Sequence, residues 1–247
     1  MRTVGVDLAA ESSRTALAVV EWEPGSARVV DVRLGATDAD IVATVTPTDR
    51  VGIDAPFGWP DAFVEFVTAH HRGDPGPAEL ETRAGRQPLV RRRTDLFVHR
   101  ETGLVPLSVS ADLLAHVALR CAGLLGKLGA VGVDVGRANG AVVESYPAAA
   151  LKRWGLPFRR YKGVANAATL AGAVGAFEAA APGFDFAGHR DVCAGSDHAF
   201  DAVVAAVIAR AAALGRTLLP DATEVGAAER EGWIHLPTVD PAGLVAG

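Results

Sequence analysis

The stretch SDHAFDAVVAAVIA, residues 196–209, predicts a helix that is apolar on nearly every side. A helix of this kind lies in the core of a protein. Ser196 is a suitable N-cap for it and Gly215 a suitable end. Asp201 interrupts the apolar surface, and an ionised carboxylate in a core is unfavourable unless a charge, a hydrogen bond or a metal ion compensates it. The rest of the sequence should therefore supply a partner for Asp201.

Three other acids follow apolar runs that are typical of buried strands. Asp7 follows the run VGV, Asp54 follows VGI, and Glu144 follows AVV. Taken singly, each has an ordinary explanation as a turn residue or as an acid near a helix start. In an α/β sheet, however, the ends of neighbouring strands converge at one ligand crevice. We therefore expect these acids to meet Asp201 in space.

Converging carboxylates predict a cation, because they cannot all ionise side by side without one. Oxygen ligands of this kind select Mg²⁺ or Mn²⁺. One or two such ions activate a water and stabilise the leaving oxygen of a phosphodiester. The predicted metal ligands are Asp7, Asp54, Asp197 and Asp201.

Two further residues are predicted to take part in the chemistry. Glu144 is expected to act as another ligand or as a base. His198 lies three residues before Asp201, so both side chains project from one helix face. It is a candidate ligand or base, and the alternative is a histidine that bonds locally at the helix N-terminus.

The order of predicted elements indicates an α/β sheet with helices on both faces. The predicted strands are 3–9, 15–22, 27–34, 50–54, 130–135, 141–145 and 233–236, with a hairpin turn at Asn139-Gly140. The predicted helices are 38–45, 60–70, 110–128, 147–154, 165–181 and the buried helix that starts at Ser196. The first three strands should form an antiparallel meander, followed by parallel strands. We expect one domain over residues 1–247, with residues 72–106 as an Arg-, Gly- and Pro-rich insertion or long loop that holds at most one short helix.

Two basic segments, residues 83–100 and 152–162, are candidates for contact with nucleic acid. Cations neutralise phosphates, and aromatic rings stack on unpaired bases. Trp154, Phe158 and Tyr161 are interleaved with the second segment. The alternative is a solvated loop, or an ion pair of Arg93 with Asp95 or with a site acid. The residues predicted to bind phosphate or nucleic acid are Arg91, Arg92, Arg93, Lys152 and Lys162.

The composition excludes several classes of protein. The chain has 247 residues, is 49% hydrophobic and carries a formal net charge of -5, so any basic surface must be local. Two cysteines, Cys121 and Cys193, give no disulfide framework and no zinc-binding spacing, which is typical of a reducing cytoplasm. The longest apolar run, 199–209, is too short to cross a membrane, and the predicted first strand leaves no room for a signal peptide. The pattern specifies no oligomeric state.

Several motifs resemble one known family. The segments GIDAPFG (52–58), RTD (93–95), ESYP (144–147), SDHAFDA (196–202) and EGWI (231–234) together resemble the domain-of-unknown-function 429 family. That family is regarded as predicted nucleases of ribonuclease H-like fold. More distantly, the first hairpin resembles that of ribonuclease H-like proteins, and DHAFDA resembles the last acidic helix of RuvC-type Holliday-junction resolvases.

This resemblance, which runs from about residue 3 to residue 237, implies a ribonuclease H-like fold and a metal-dependent nuclease acting on DNA or RNA. The acids of ribonuclease H-like proteins carry over onto Asp7, Asp54 and Asp201. Glu144 belongs to the pattern of the narrower family.

Two other functions remain open from the sequence. A phosphotransferase of the actin-like superfamily could use Asp7 with Ser12 and Ser13 for one phosphate turn and residues 133–136 for a second. Its two-half architecture needs a longer chain than this one. A catalytically inactive ribonuclease H-like interaction module would keep the acids as a buried network. Metal titration and nucleotide binding discriminate among the three.

Overall fold

A mixed β-sheet begins at the second residue of the chain, in a computed structural model that describes residues 1–74, 76, 79–111 and 114–247. Within those residues its strands are Arg2–Asp7 (β1), Ala16–Glu23 (β2), Ser26–Leu34 (β3), Arg50–Asp54 (β4), Val142–Glu144 (β5) and Phe184–Asp185 (β6), in the order β5-β4-β1-β2-β3-β6. The pairs β1–β2 and β2–β3 are antiparallel, and the pairs β1–β4, β4–β5 and β3–β6 are parallel. The predicted antiparallel first part and parallel continuation are therefore confirmed. Thr217–Leu218 (β7) and Leu236–Pro237 (β8) form a separate pair.

Helices surround this sheet. In the described part of the chain they are Asp38–Thr44 (α1), Asp61–His71 (α2), Arg83–Val90 (α3), Arg93–Thr102 (α4), Leu114–Ala130 (α5), Pro147–Arg153 (α6), Ala167–Ala180 (α7), Arg190–Gly195 (α8), Asp197–Ala213 (α9), Val225–Glu231 (α10) and Pro241–Ala246 (α11). Short 3-10 turns occupy Ser12–Arg14, Val164–Asn166 and Ala187–His189. None of these helices is both long and apolar enough to cross a membrane.

The two faces of the sheet bury two separate apolar layers. Alternate residues of β2 point to opposite sides: Ala18 and Val20 pack with α7 and α9, whereas Leu17 and Val19 pack with α1 and α5. This alternation follows from the two-residue period of a strand. Burial of both faces makes the central strands apolar throughout, as the sequence predicts.

Helix α9 is the core helix, and two glycines let it lie directly on the sheet. Gly5 of β1 and Gly52 of β4 are neighbours in the parallel register. A β-carbon at Gly5 would overlap the backbone of Ala202, and one at Gly52 would overlap the backbone of Ala205. Only glycine permits so close an approach of helix and strand backbones. The predicted helix from Ser196 is confirmed, with the Ser196 hydroxyl accepting from the N–H of Ala199.

The predicted strand at 130–135 and its hairpin are wrong. After α5, Gly132 adopts a φ of 87°, and the N–H of Val133 donates to the carbonyl of Leu128 while that of Gly132 donates to Gly129. This pattern ends a helix by satisfying its last carbonyls. Residues 130–135, whose apolar composition is typical of a strand, therefore form the cap of α5. The next strand, β5, starts at Val142.

Two further expectations need correction. The last strand is Leu236–Pro237, and Ile234 makes only a single parallel bridge to Glu144. Residues 72–106 hold two helices, α3 and α4, where one was expected, and α4 buries Thr94, Phe97 and Val98. Part of that segment, residues 75, 77 and 78, lies outside the described residues, as do residues 112 and 113 of the helix predicted over 110–128.

Candidate metal centre

Three carboxylates converge where β1 and β4 end. Asp7 and Asp54 are the last residues of these parallel strands and stand opposite each other in the register. Asp201 lies in the second turn of α9. One ligand oxygen from each of the three lies within 4.8 Å of the others. The prediction that these acids meet in space is confirmed, and no other group of three His, Cys, Asp or Glu side chains does so in the described part of the chain.

The convergence follows from the packing of α9 on the two glycines. Asp7 is two residues after Gly5, and Asp54 is two residues after Gly52, so each acid projects from the strand face that touches α9. Asp201 precedes Ala205 by one helical turn and lies on the sheet-facing side. The repeated pattern Gly-x-Asp in two strands is the signal in the sequence for this arrangement, and the strand ends alone do not reveal it.

Two of the three acids, Asp54 and Asp201, lie in surroundings that disfavour their charge. Asp201 is fully buried and Asp7 is nearly so, while Asp54 is half-buried. Burial raises the pKa of Asp54 well above its usual range, and the charges of Asp7 and Asp201 add to this effect against the opposing Lys162. Burial likewise raises the pKa of Asp201 to about 6. The group therefore holds more negative charge than its surroundings neutralise.

Two neighbouring residues bind the carboxylate of Asp201. The hydroxyl of Tyr161 donates to Oδ1 at 2.7 Å, and the Nζ of Lys162 lies 2.6 Å from Oδ2. Burial works against the charge of Lys162, but Asp201, Asp54 and Asp7 outweigh it and raise the pKa of the ammonium. Lys162 was predicted to bind phosphate and here pairs with a site acid. Tyr161 was considered only as a stacking ring, and it is buried with its edge on Phe200.

His198 contacts the group as its helical spacing predicts. Its Nδ1 lies 2.6 Å from Oδ2 of Asp7. This hydrogen bond raises the pKa of His198, which burial opposes. Asp197, also predicted as a ligand, does not join the three acids. It lies half-exposed in the first turn of α9, where a negative charge is favoured by the helix dipole.

The structure places Glu144 in a different network, bound to Arg92. Its Oε1 accepts from Nη2 of Arg92 at 2.8 Å, and its Oε2 accepts from Nη1 at 2.9 Å and from the N–H of Phe57 at 3.1 Å. Arg92 also donates to Oδ1 of Asp95 at 2.9 Å. The four residues of this network, Arg92, Glu144, Asp95 and Phe57, are all buried. Both oxygens of Glu144 are therefore engaged, and the residue holds Arg92 together with the loop that follows Asp54.

The three successive arginines, Arg91, Arg92 and Arg93, are not equivalent: the middle one is buried. Arg92 is only 2% exposed, so it cannot reach a phosphate in solution. Its pKa is above the ordinary value, because Glu144 and Asp95 outweigh the opposing effect of burial. The ion pair that was suggested for Arg93 is therefore made by Arg92, one residue earlier. Its partners are Asp95 and Glu144.

Arg91 and Arg93 line a cavity of about 770 Å³ between α2, α3, α4 and α10. The three acids of the metal centre do not line this cavity. Arg91 also donates to the carbonyl of Pro106. Lys152, the remaining predicted cation, donates to the carbonyl of Thr102 and lies over the ring of Phe158. Four of the five predicted phosphate ligands thus lie away from the acids or are engaged within the protein, and Lys162 alone among the five touches the group.

A family model described as "Protein of unknown function (DUF429)" matches residues 5–225. The chain belongs to this family. The predicted membership is therefore confirmed, and the matched region contains Asp7, Asp54 and Asp201 together with His198 and Lys162. No curated protein and no solved structure gives a significant match.

Proposed function

We propose that this DUF429 chain is a metal-dependent nuclease that hydrolyses phosphodiester bonds in DNA or RNA. The observation that carries the proposal is the convergence of Asp7, Asp54 and Asp201, whose ligand oxygens lie within 4.8 Å of one another. Such a set of carboxylates offers the hard oxygen ligands that Mg²⁺ and Mn²⁺ prefer.

We further propose that the fold is ribonuclease H-like and forms one domain over residues 1–247. The antiparallel strands β1 to β3, the parallel additions β4 and β5, and the helices on both faces support this assignment. The acids also occupy the positions that the resemblance implies, in the first strand, the fourth strand and the last long helix. The two free and buried cysteines support a reducing cytoplasm as the setting.

The residues present fit a divalent ion. Burial and the neighbouring acids raise the pKa values of Asp54 and Asp201, and a bound cation would oppose both effects. When bound, the ion would activate a water and stabilise the leaving oxygen of the phosphodiester. Asp7, Asp54 and Asp201 would hold it. His198 bonds Asp7 through Nδ1, so its Nε2 is the atom at which it would exchange a proton with water or product.

Local basic residues support binding of a polyanion near the acids. Arg159 and Arg160 are exposed and precede Tyr161 and Lys162 in sequence. Arg14 is close enough to His198 to oppose the rise in the pKa of the imidazole. We propose that these arginines contact phosphates of the nucleic acid, in place of the buried Arg92.

Cleavage assays with matched variants test the function. Purified protein is incubated with structured DNA and RNA and with Mg²⁺ or Mn²⁺, and the same is done for Asp7→Asn and for Asp38→Asn. Asp38 is an acid in an ion pair with Lys127, so its variant controls for the loss of a carboxylate elsewhere. We expect Asp7→Asn to lose at least a hundredfold in rate and Asp38→Asn to lose little. Cleavage unchanged in Asp7→Asn would assign the activity to a contaminant or to another site.

One observation favours a second candidate, an inactive interaction module. Lys162 and Tyr161 both bind Asp201, as in a buried network that holds its acid without a metal. Titration with Mn²⁺ separates the two, because the module would bind no ion at the acids. Residues 133–136 follow directly on the cap of α5 and form no strand, which disfavours the second phosphate turn that a phosphotransferase needs.

A further inference from the structure

The ammonium of Lys162 lies within the acid group itself. It is 2.6 Å from Oδ2 of Asp201, and it is near enough to Asp54 and Asp7 for the charge of each to act on it. Its side chain is nevertheless 53% exposed, whereas that of Asp201 is only 1% exposed. The side chain of Lys162 therefore reaches from the surface into the group.

The backbone around Lys162 is held independently of its side chain. The preceding Tyr161 is buried and hydrogen-bonded to Asp201. On either side of this pair, Arg160 has a φ of 57° and Gly163 a φ of 86°. A non-glycine residue at positive φ is uncommon and persists where surrounding contacts maintain it. Tyr161 thus anchors the segment, and rotation about the side-chain bonds of Lys162 is sufficient to release its ammonium.

We propose that Lys162 is an internal cation that occupies the metal centre in the metal-free protein and sets its affinity for divalent ions, because an incoming ion must displace the ammonium from Asp201. This inference rests on the proposed metal-dependent function.

Charge and geometry support displacement over joint occupancy. The group has three carboxylates, the ammonium of Lys162 and the imidazole of His198, so at most two positive charges face up to three negative ones. A divalent ion compensates the carboxylates more completely. The ion and the ammonium would also repel each other at such short range. Tyr161 already donates to Oδ1 of Asp201, and an ion that approaches Oδ2 would meet the ammonium of Lys162 there.

Calorimetric titration with Mn²⁺ tests the competition. The wild-type protein is compared with Lys162→Met, which keeps the length and apolar stem of the side chain but removes its charge, and with Lys162→Arg, which keeps the charge. The matched control is Lys127→Met. Lys127 is 56% exposed, close to the 53% of Lys162, and lies 2.7 Å from Asp38, outside the acid group. We expect Lys162→Met to bind Mn²⁺ about tenfold more tightly than wild type, and the other two variants to resemble wild type.

Thermal unfolding gives a second readout that does not depend on activity. Without metal, Lys162→Met should have a lower Tm than wild type, because the carboxylate of Asp201 loses its countercharge. Saturating Mn²⁺ should remove this difference, because the ion supplies the charge in both proteins. A lysine with only a structural role would lower the Tm equally with and without metal. If the methionine variant does not fold, Lys162→Gln serves for both measurements.

The outcomes separate this inference from the proposed function. Tighter binding to Lys162→Met, or binding to that variant alone, supports displacement. Equal or weaker binding to it, with Mn²⁺ bound to the wild type, overturns displacement and leaves the metal centre intact. Absence of Mn²⁺ binding in every variant overturns both.

Discussion

The acid group at Asp201 and the network at Arg92 are two buried ionic clusters that differ in their balance of charge. Arg92 donates five hydrogen bonds to the carboxylates of Glu144 and Asp95, four from its buried guanidinium and one from its backbone N–H. The acid group has Lys162, a half-exposed lysine, as the cation in contact with Asp201.

This difference indicates different roles. A guanidinium matches carboxylates in planar, two-point contact, and a cluster satisfied in this way has no remaining demand for a ligand. Carboxylates with raised pKa values in a group reached from solvent are typical of functional sites. We therefore assign stability to the Arg92 network and chemistry to the acid group.

The largest predicted effect is the removal of Arg92. Arg92→Met leaves Glu144 and Asp95 buried without their countercharge, and loss of one partner from such a cluster costs about 3–5 kcal/mol. Urea unfolding measures the free energy of unfolding of the variant and of the wild type. The neighbouring Arg93→Met is the control, because the side chain of Arg93 is exposed and should contribute less than about 0.5 kcal/mol. Equal losses in both variants would contradict the structural role of Arg92.

The second predicted effect is a dependence of stability on pH that arises beside the Arg92 network. His235 donates its backbone N–H to the carbonyl of Glu144, and its buried ring bonds Thr217 and Ala138. Burial lowers the pKa of His235 from 6.5 to about 4. Below pH 6.5 the unfolded chain therefore binds a proton at His235, whereas the folded chain binds this proton only below about pH 4. The folded state loses stability as pH falls through this window, by up to about 3 kcal/mol at the acid end.

Urea unfolding at a series of pH values between 4 and 7 checks this sign and range. His235→Gln should show a flatter profile than wild type, because glutamine does not titrate. His99→Gln changes an exposed histidine and should leave the profile unchanged. A wild-type profile equally steep in His235→Gln would assign the acid sensitivity to other groups, for example the carboxylates of the network.

The same comparison shows what could be predicted from the sequence. Asp7, Asp54 and Asp201 were identified because strand ends and a buried helix are local patterns. Glu144 follows the same pattern, yet its partner Arg92 is 52 residues away, and no local pattern reports that pairing. Tyr161 is likewise 40 residues from Asp201. The run 130–135 has the composition of a strand, but its backbone N–H groups make the hydrogen bonds that end α5 instead of pairing in the sheet. Tertiary pairing therefore decides between patterns that look alike in sequence.

The smallest predicted effect has the opposite sign and distinguishes the two clusters most sharply. Asp54→Asn removes a charge that burial and its acidic neighbours disfavour, as the raised pKa of Asp54 shows. Without metal we expect this variant to be more stable than wild type by about 1 kcal/mol, whereas every loss of charge in the Arg92 network should destabilise the protein. With saturating Mn²⁺ the order should reverse, because wild type gains binding free energy that the variant lacks. Urea unfolding in EDTA and in Mn²⁺ measures the difference in free energy of unfolding without and with metal. Asp38→Asn is the control acid. A variant that is destabilised in EDTA would show that Asp54 contributes to stability through its charge, as the acids bound to Arg92 do, and would remove the distinction on which the functional assignment depends.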